Sequence, residues 1–157
     1  MTARSGVGWD SHRFAEGGSL VLGGVRVEHP VGLAGFSDAD ALTHAVIDAL
    51  LGAAGLGDIG EHFPDTDERW RDADSMELLR SVRGMLGDSG LRPVNVDATV
   101  LCEAPKLGPY RSRMRLRLAE ALRLPPTAVN VKFTTAEGMG WVGRGEGVAA
   151  MAIATVA

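Results

Sequence analysis

Val94-Asn95-Val96-Asp97-Ala98-Thr99-Val100-Leu101-Cys102 places small apolar residues at every second position. In an extended chain successive side chains project to opposite faces, so this stretch predicts a strand with one buried face, ended by Pro105. Such a strand needs an apolar layer to cover it. Ala41-Leu42-Thr43-His44-Ala45-Val46-Ile47-Asp48-Ala49-Leu50-Leu51 supplies one, a run with strong helix propensity preceded by Ser37-Asp38-Ala39-Asp40, acidic groups where a helix start favours them. A second amphipathic helix is expected from Ser75 through Leu78, Leu79, Val82 and Leu86 to the glycines at 87–90, and a third over Tyr110 to Leu122. Ser5 to Asp10 reads as a first strand, Ser19 to Val27 as a hairpin turning at Gly23-Gly24, and Val129 to Thr134 and Val148 to Val156 as closing strands. Gly60 to Asp67 is too polar and turn-rich for an element and is expected to be a functional loop. The pattern predicts an α+β fold, an α/β sandwich with a mixed four-to-five-stranded sheet and helices on one face.

The chain has 157 residues, 45% of them apolar, which suits a single domain spanning 1–157 with an ordinary core. Its 21 glycines are nearly twice ordinary usage and mark turns and close backbone approaches. A formal charge of −4 argues against sequence-independent nucleic-acid binding. One cysteine, Cys102, makes no internal disulfide, the first ten residues lack the apolar stretch of a signal peptide, and the longest uncharged apolar segment, Gly147 to Ala157, is about half a membrane span. A cytoplasmic protein without membrane attachment is expected.

Asp10-Ser11-His12 sets a carboxylate and an imidazole on one face of extended chain, and His44 is the best third ligand among four histidines. Two nitrogens and one carboxylate oxygen with an open fourth position are a pattern of catalytic zinc. A turn-capping Asp10 with two locally satisfied histidines accounts for the same residues. Asp40 and Asp48, four residues either side of His44, either orient its ring or serve as cap and solvated carboxylate. Ser37 and Asp38 sit where a helix start favours phosphate, although the acidic residues there call for a cation in between. Thr134-Thr135-Ala136-Glu137-Gly138 offers hydroxyls and a carboxylate for a phosphate with a hard cation. Arg144 is either an anion contact or the partner of Glu146, and the arginines at 111, 113, 115, 117 and 123 read as a solvated or salt-bridged face.

Taken in order, Gly8-Trp9-Asp10-Ser11-His12-Arg13-Phe14, Ser37-Asp38-Ala39-Asp40-Ala41-Leu42-Thr43-His44, Gly57-Asp58-Ile59-Gly60, Phe63-Pro64-Asp65-Thr66-Asp67, Ala104-Pro105-Lys106, Thr134-Thr135-Ala136-Glu137 and Gly143-Arg144-Gly145-Glu146-Gly147 resemble the 2-C-methyl-D-erythritol 2,4-cyclodiphosphate synthase family. The resemblance implies a zinc-dependent phosphorus–oxygen lyase of non-mevalonate isoprenoid precursor biosynthesis. It would convert 4-diphosphocytidyl-2-C-methyl-D-erythritol 2-phosphate to the cyclic diphosphate and release CMP, as a homotrimer with active sites between subunits. Asp10, His12 and His44 match zinc ligands, and Glu137 matches the residue for a second ion, magnesium or manganese. By the same resemblance Asp10, His12, Phe36, Ser37 and His44 face substrate, Asp58, Ile59 and Gly60 lie near the ribose and erythritol, and Phe63, Pro64, Asp65, Thr66 and Asp67 form a substrate loop. Cys102, Glu103, Ala104, Pro105, Lys106, Leu107 and Gly108 match the cytosine pocket. Thr134, Thr135 and Ala136 match phosphate contacts, with Thr135 aligned to a transition-state stabiliser, and Trp141 and Arg144 fall on ligand positions. An isoprenoid diphosphate in the trimer's central channel, held through Arg144, is also admitted. Two departures stand out: Phe36 replaces a histidine that stabilises the transition state, and Ala136 replaces a common threonine. A metal-stabilised trimeric module that binds nucleotide diphosphates without turnover, and a metal-dependent nucleotide diphosphate hydrolase, remain as alternatives.

Overall fold

The computed structural model describes residues 2–157. Strands are β1 (Arg4–Ala15), β2 (Leu20–Leu22), β3 (Val25–Val27), β4 (Gly32–Leu33), β5 (Pro93–Leu101), β6 (Val129–Thr134) and β7 (Gly147–Val156). Helices are α1 (Ala41–Ala54), α2 (Ile59–His62), α3 (Ser75–Asp88), α4 (Arg111–Leu122) and α5 (Gly140–Gly143). The main sheet has five strands in the order β4-β1-β7-β5-β6, mixed as expected, with β5 and β6 parallel and the other pairs antiparallel. Alternation in β5 buries Val96, Ala98 and Val100 on the helix side. Helix α1 lies across β1 and β7, and α3 packs against α1 and α4.

Three expectations are corrected. The first strand runs to Ala15, because Ser11, His12 and Arg13 pair with Ala149, Val148 and Gly147 through their backbones although their side chains are polar. The hairpin forms at Gly23-Gly24, yet β2 and β3 make a separate two-stranded ribbon. That ribbon is held to the start of α1 by Asp40, whose buried carboxylate accepts from the N–H groups of Gly23, Gly24 and Thr43 and from the Thr43 hydroxyl. The polar loop contains a helical turn, α2, because Asp58 caps it by accepting the Glu61 N–H at 3.0 Å. No helix among the described residues is long and apolar enough to cross a membrane.

The closeness of α1 to β1 is set by glycine. A Cβ on Gly8 would lie 1.9 Å from the Ala45 carbonyl oxygen, and one on Gly6 would lie 2.3 Å from that of Ala49. Alternation turns Val7 and Trp9 to the opposite, exposed face, where they neighbour Ile153 and Met151 on β7. Gly8→Ala therefore drives a methyl group into backbone and is expected to lower unfolding stability by about 3 kcal/mol or more. Gly52→Ala, on α1 with nothing nearer than 4.0 Å, is expected to raise it by about 0.5–1 kcal/mol. Urea unfolding of the two variants beside the wild type checks both signs.

Candidate active site

Asp10 and His12 stand two residues apart on β1 and share the face toward α1; His44 descends from the first turn of α1 between them. His12 Nε2 lies 2.7 Å from Asp10 Oδ2, His44 Nδ1 lies 3.0 Å from the same oxygen, and the two nitrogens are 3.4 Å apart. The far nitrogen of each ring has its own partner. His12 Nδ1 faces the Ala34 carbonyl at 2.8 Å, and because a carbonyl only accepts, the proton of a neutral His12 sits on Nδ1 and its Nε2 lone pair points inward. His44 Nε2 meets the Ser75 hydroxyl at 2.7 Å and the Ser37 hydroxyl at 3.2 Å. Neither acid of α1 orients the ring: Asp40 is the cap, and Asp48 accepts the Ile59 N–H at 2.8 Å.

The donor set suits a divalent metal. Tetrahedral coordination at 2.0–2.2 Å separates ligand atoms by about 3.3 Å, close to the triangle observed, and two imidazoles with one carboxylate leave a fourth position open. The three ligand atoms lie within 4.8 Å of one another. Protons compete for the same space. Burial disfavours charge on Asp10 and His12, but hydrogen bonding and attraction between them prevail; Asp10, bonded to both histidines, is held down at about 2 and His12 is raised above its ordinary 6.5.

His12, His44, Phe36, Ser37, Ile59, Gly60, Phe63, Pro64 and Asp65 line one cavity of about 340 Å³, with Trp70 and Leu78. Phe36 carries the Arg71 guanidinium 4.7 Å over its ring, and Arg71 is bound through two nitrogens to Glu68. Asp58 and Asp67 cap local turns, and Thr66 lies in the turn between Asp65 and Asp67. A second cavity of about 350 Å³ is lined by Cys102, Glu103, Pro105, Lys106, Leu107, Gly108, Thr134 and Thr135. Ala104 borders it through a cis peptide to Pro105. Burial pushes the Cys102 thiol up to about 11, so it is a neutral wall and no nucleophile. Beside this cavity the Ala136 N–H donates to Glu103 and the Glu137 N–H to the Thr135 hydroxyl. Trp141 meets His12 across a smaller recess, and Arg144 is paired with Glu146 at 2.6 Å, the second of its two readings. On α4, Arg111 and Arg113 stack on Phe133 and Tyr110, and Arg115 donates to the Pro126 carbonyl. Ser75 was marked in the sequence only as a helix start and not as a site residue, since nothing periodic links it to a histidine 31 residues earlier.

Residues 3–157 match the family model described as the YgbB family. The chain belongs to the YgbB family. Over 153 residues, 98% of either chain, it is 60% identical to the 2-C-methyl-D-erythritol 2,4-cyclodiphosphate synthase of Salinibacter ruber. A solved 2C-methyl-D-erythritol-2,4-cyclodiphosphate synthase with CDP bound is 40% identical, covers 98% of this chain and 100% of its own, and superposes with a TM-score of 0.90. The bifunctional IspDF of Campylobacter jejuni is 41% identical with a TM-score of 0.95; this YgbB-family chain is covered to 99% and spans 42% of that longer one.

Metal binding must release the His12 proton, so it strengthens as pH rises through His12's raised value; the proton-bound His12–Asp10 pair stabilises the fold fully below 6.5, and that contribution is lost as pH rises from there through the raised value. The difference in Tm between samples with zinc and with EDTA is therefore expected to widen as pH increases from about 6 to 8. A difference independent of pH in melting curves across that range would contradict the assignment.

Proposed function

We propose that the chain is a zinc-dependent phosphorus–oxygen lyase that cyclises 4-diphosphocytidyl-2-C-methyl-D-erythritol 2-phosphate to 2-C-methyl-D-erythritol 2,4-cyclodiphosphate with release of CMP, a step of non-mevalonate isoprenoid precursor biosynthesis. The observation that carries this reading is the convergence of His12, His44 and Asp10 on one point at the edge of a cavity. The name of the 60%-identical relative supplies the product, and the CDP complex of the 40%-identical relative supports the diphosphocytidyl half of the substrate. The work of the chain is placement. In the reaction a 2-phosphate oxygen attacks the β-phosphorus and CMP leaves, so the substrate brings its own nucleophile and the protein needs none. Zinc held by Asp10, His12 and His44, with magnesium or manganese held by Glu137, would supply neutralisation of phosphate charge.

In this reading the residues lining the second cavity hold the cytosine, aided by backbone groups of the turn at Ala104 and Pro105. Thr134 and Thr135 present hydroxyls to the phosphates. Ile59, Gly60, Phe63 and Pro64 wall the erythritol side. Phe36 contributes a ring with no hydrogen-bonding atom at the rim of the metal cavity. The assembly is a homotrimer: Val7, Trp9, Met151 and Ile153 are exposed together on the outer face of the sheet, an apolar patch suited to burial against other copies.

Phosphorus NMR of the purified protein with substrate, zinc and magnesium is expected to give cyclic diphosphate and CMP, with loss of both in His44→Ala. An open phosphate product would favour the hydrolase, and CDP binding without turnover the module to which Phe36 lends weight. Phe36→His, assayed alongside, is expected to raise the cyclisation rate about tenfold, equivalent to about 1.4 kcal/mol of barrier. An unchanged rate would mean the position contributes little to this chemistry.

A further inference from the structure

His44 presents Nδ1 to Asp10 and His12, and a metal needs a lone pair on that nitrogen. Which nitrogen of a neutral imidazole carries the proton is set by the hydrogen bond at the other. That bond leads away from α1. We infer that Asp38, acting through Ser75, fixes the proton of His44 on Nε2 and so keeps Nδ1 open to a cation; the inference rests on the metal reading above and adds two positioning residues to it.

The chain of protons follows from which groups can only accept. The Asp38 carboxylate accepts the Ser75 backbone N–H at 2.9 Å and the Asp40 N–H at 3.2 Å, and it is also hydrogen-bonded to the Ser75 hydroxyl. A carboxylate has no proton to give, so the Ser75 hydroxyl donates to Asp38. The lone pairs of Ser75 Oγ are then left to face His44 Nε2 at 2.7 Å, and that nitrogen must donate. Ser75 is fully buried, so its orientation is fixed by protein partners and not by bulk water. The backbone holds both residues in place. The Asp72 N–H donates to the Phe36 carbonyl at 2.9 Å and the Asp38 N–H to the Ala73 carbonyl at 3.2 Å, clasping the segment before α1 to the segment before α3.

Asp38→Asn reverses the polarity at nearly constant shape. The amide orientation that keeps the 2.9 Å bond from the Ser75 N–H gives up the longer one from Asp40 and turns its NH2 group toward the Ser75 hydroxyl. Ser75 then donates to His44 Nε2, and the proton of His44 moves to Nδ1, where the metal belongs. Ser75→Ala instead removes the acceptor and leaves the ring to Ser37 at 3.2 Å.

The test records nitrogen-15 histidine spectra at alkaline pH and zinc affinity by competition with a chromophoric chelator. For the wild type we expect His44 as the Nε2–H form. For Asp38→Asn we expect the Nδ1–H form with zinc affinity lowered by about 10- to 100-fold, and for Ser75→Ala a mixture of forms with a smaller loss. The inference is overturned if His44 keeps the Nε2–H form in both variants, or if their zinc affinities stay within about twofold of the wild type. A wild type that binds no zinc would sink the metal reading alone, since the proton positions are read without metal. Should Asp38→Asn not fold, Ser75→Ala decides by the same spectra.

Discussion

The site depends on how closely the backbone of α1 approaches β1. With a side chain at position 8 the Ala45 carbonyl could not lie where it does, and the helix would have to lift away from the strand. His44 precedes Ala45 and Asp10 follows Gly8 by two, so the contact that seats the helix also sets the reach of the imidazole to the carboxylate. Two further glycines serve His12: a Cβ on Gly35 would come within 3.1 Å of its ring, and one on Gly147 within 2.3 Å of its carbonyl oxygen. Much of the glycine excess near the site is therefore steric, clearing room for backbone and ring.

Two carboxylates near the start of α1 show how surroundings divide structure from chemistry. Burial raises the pKa of Asp40, yet four donors from Gly23, Gly24 and Thr43 satisfy it, none of them cationic, and its effect is to tie ribbon to helix. Asp10 instead faces the inner nitrogens of two rings, and the outer nitrogen of His12 is already committed to Ala34. Neutral rings so oriented bring only lone pairs to the carboxylate, which leaves a deficit of positive charge for a proton or a metal to fill. Asp40 has no such deficit, and that contrast assigns the roles better than burial does.

What the sequence disclosed follows the physics of its signals. Periodicity marked β5, which buries one face at every second residue, whereas α1 was marked by the helix propensity of an alanine- and leucine-rich run that is buried almost all round. Periodicity missed the second half of β1, where Ser11, His12 and Arg13 are polar, are held by backbone pairing, and only His12 turns its side chain to the site. The glycine pair disclosed the hairpin turn but neither that the hairpin stands apart from the main sheet nor that Asp40, 16 or 17 residues on, ties it to α1. Spacing and residue type offered Asp10, His12 and His44 as a ligand set beside a capping reading that fits the same residues; the resemblance favoured the ligand set, and the fold brings the three ligand atoms within 4.8 Å of one another. The pair behind His44 was not legible, since Ser75 is a common helix-start residue and becomes informative only when the fold brings it to an imidazole.

The positions of the two cavities give the outer face of the sheet its significance. The metal triad and its walls belong to one cavity, and the residues proposed to hold cytosine belong to another, on β5, β6 and the turns after them. A phosphoryl transfer requires nucleophile, phosphorus and leaving group in line, so the two halves of one substrate must be held rigidly with respect to each other. Cross-strand neighbours Val7 with Ile153 and Trp9 with Met151 form an exposed apolar surface on the side of the sheet away from the helices. Exposing it has a cost that association removes, and the same association would set one copy's metal cavity at a fixed distance from its neighbour's nucleotide cavity. In the proposed trimer the rigidity of the sheet is then the rigidity of the active site, and apolar burial on one face holds the geometry that polar residues at the strand ends use.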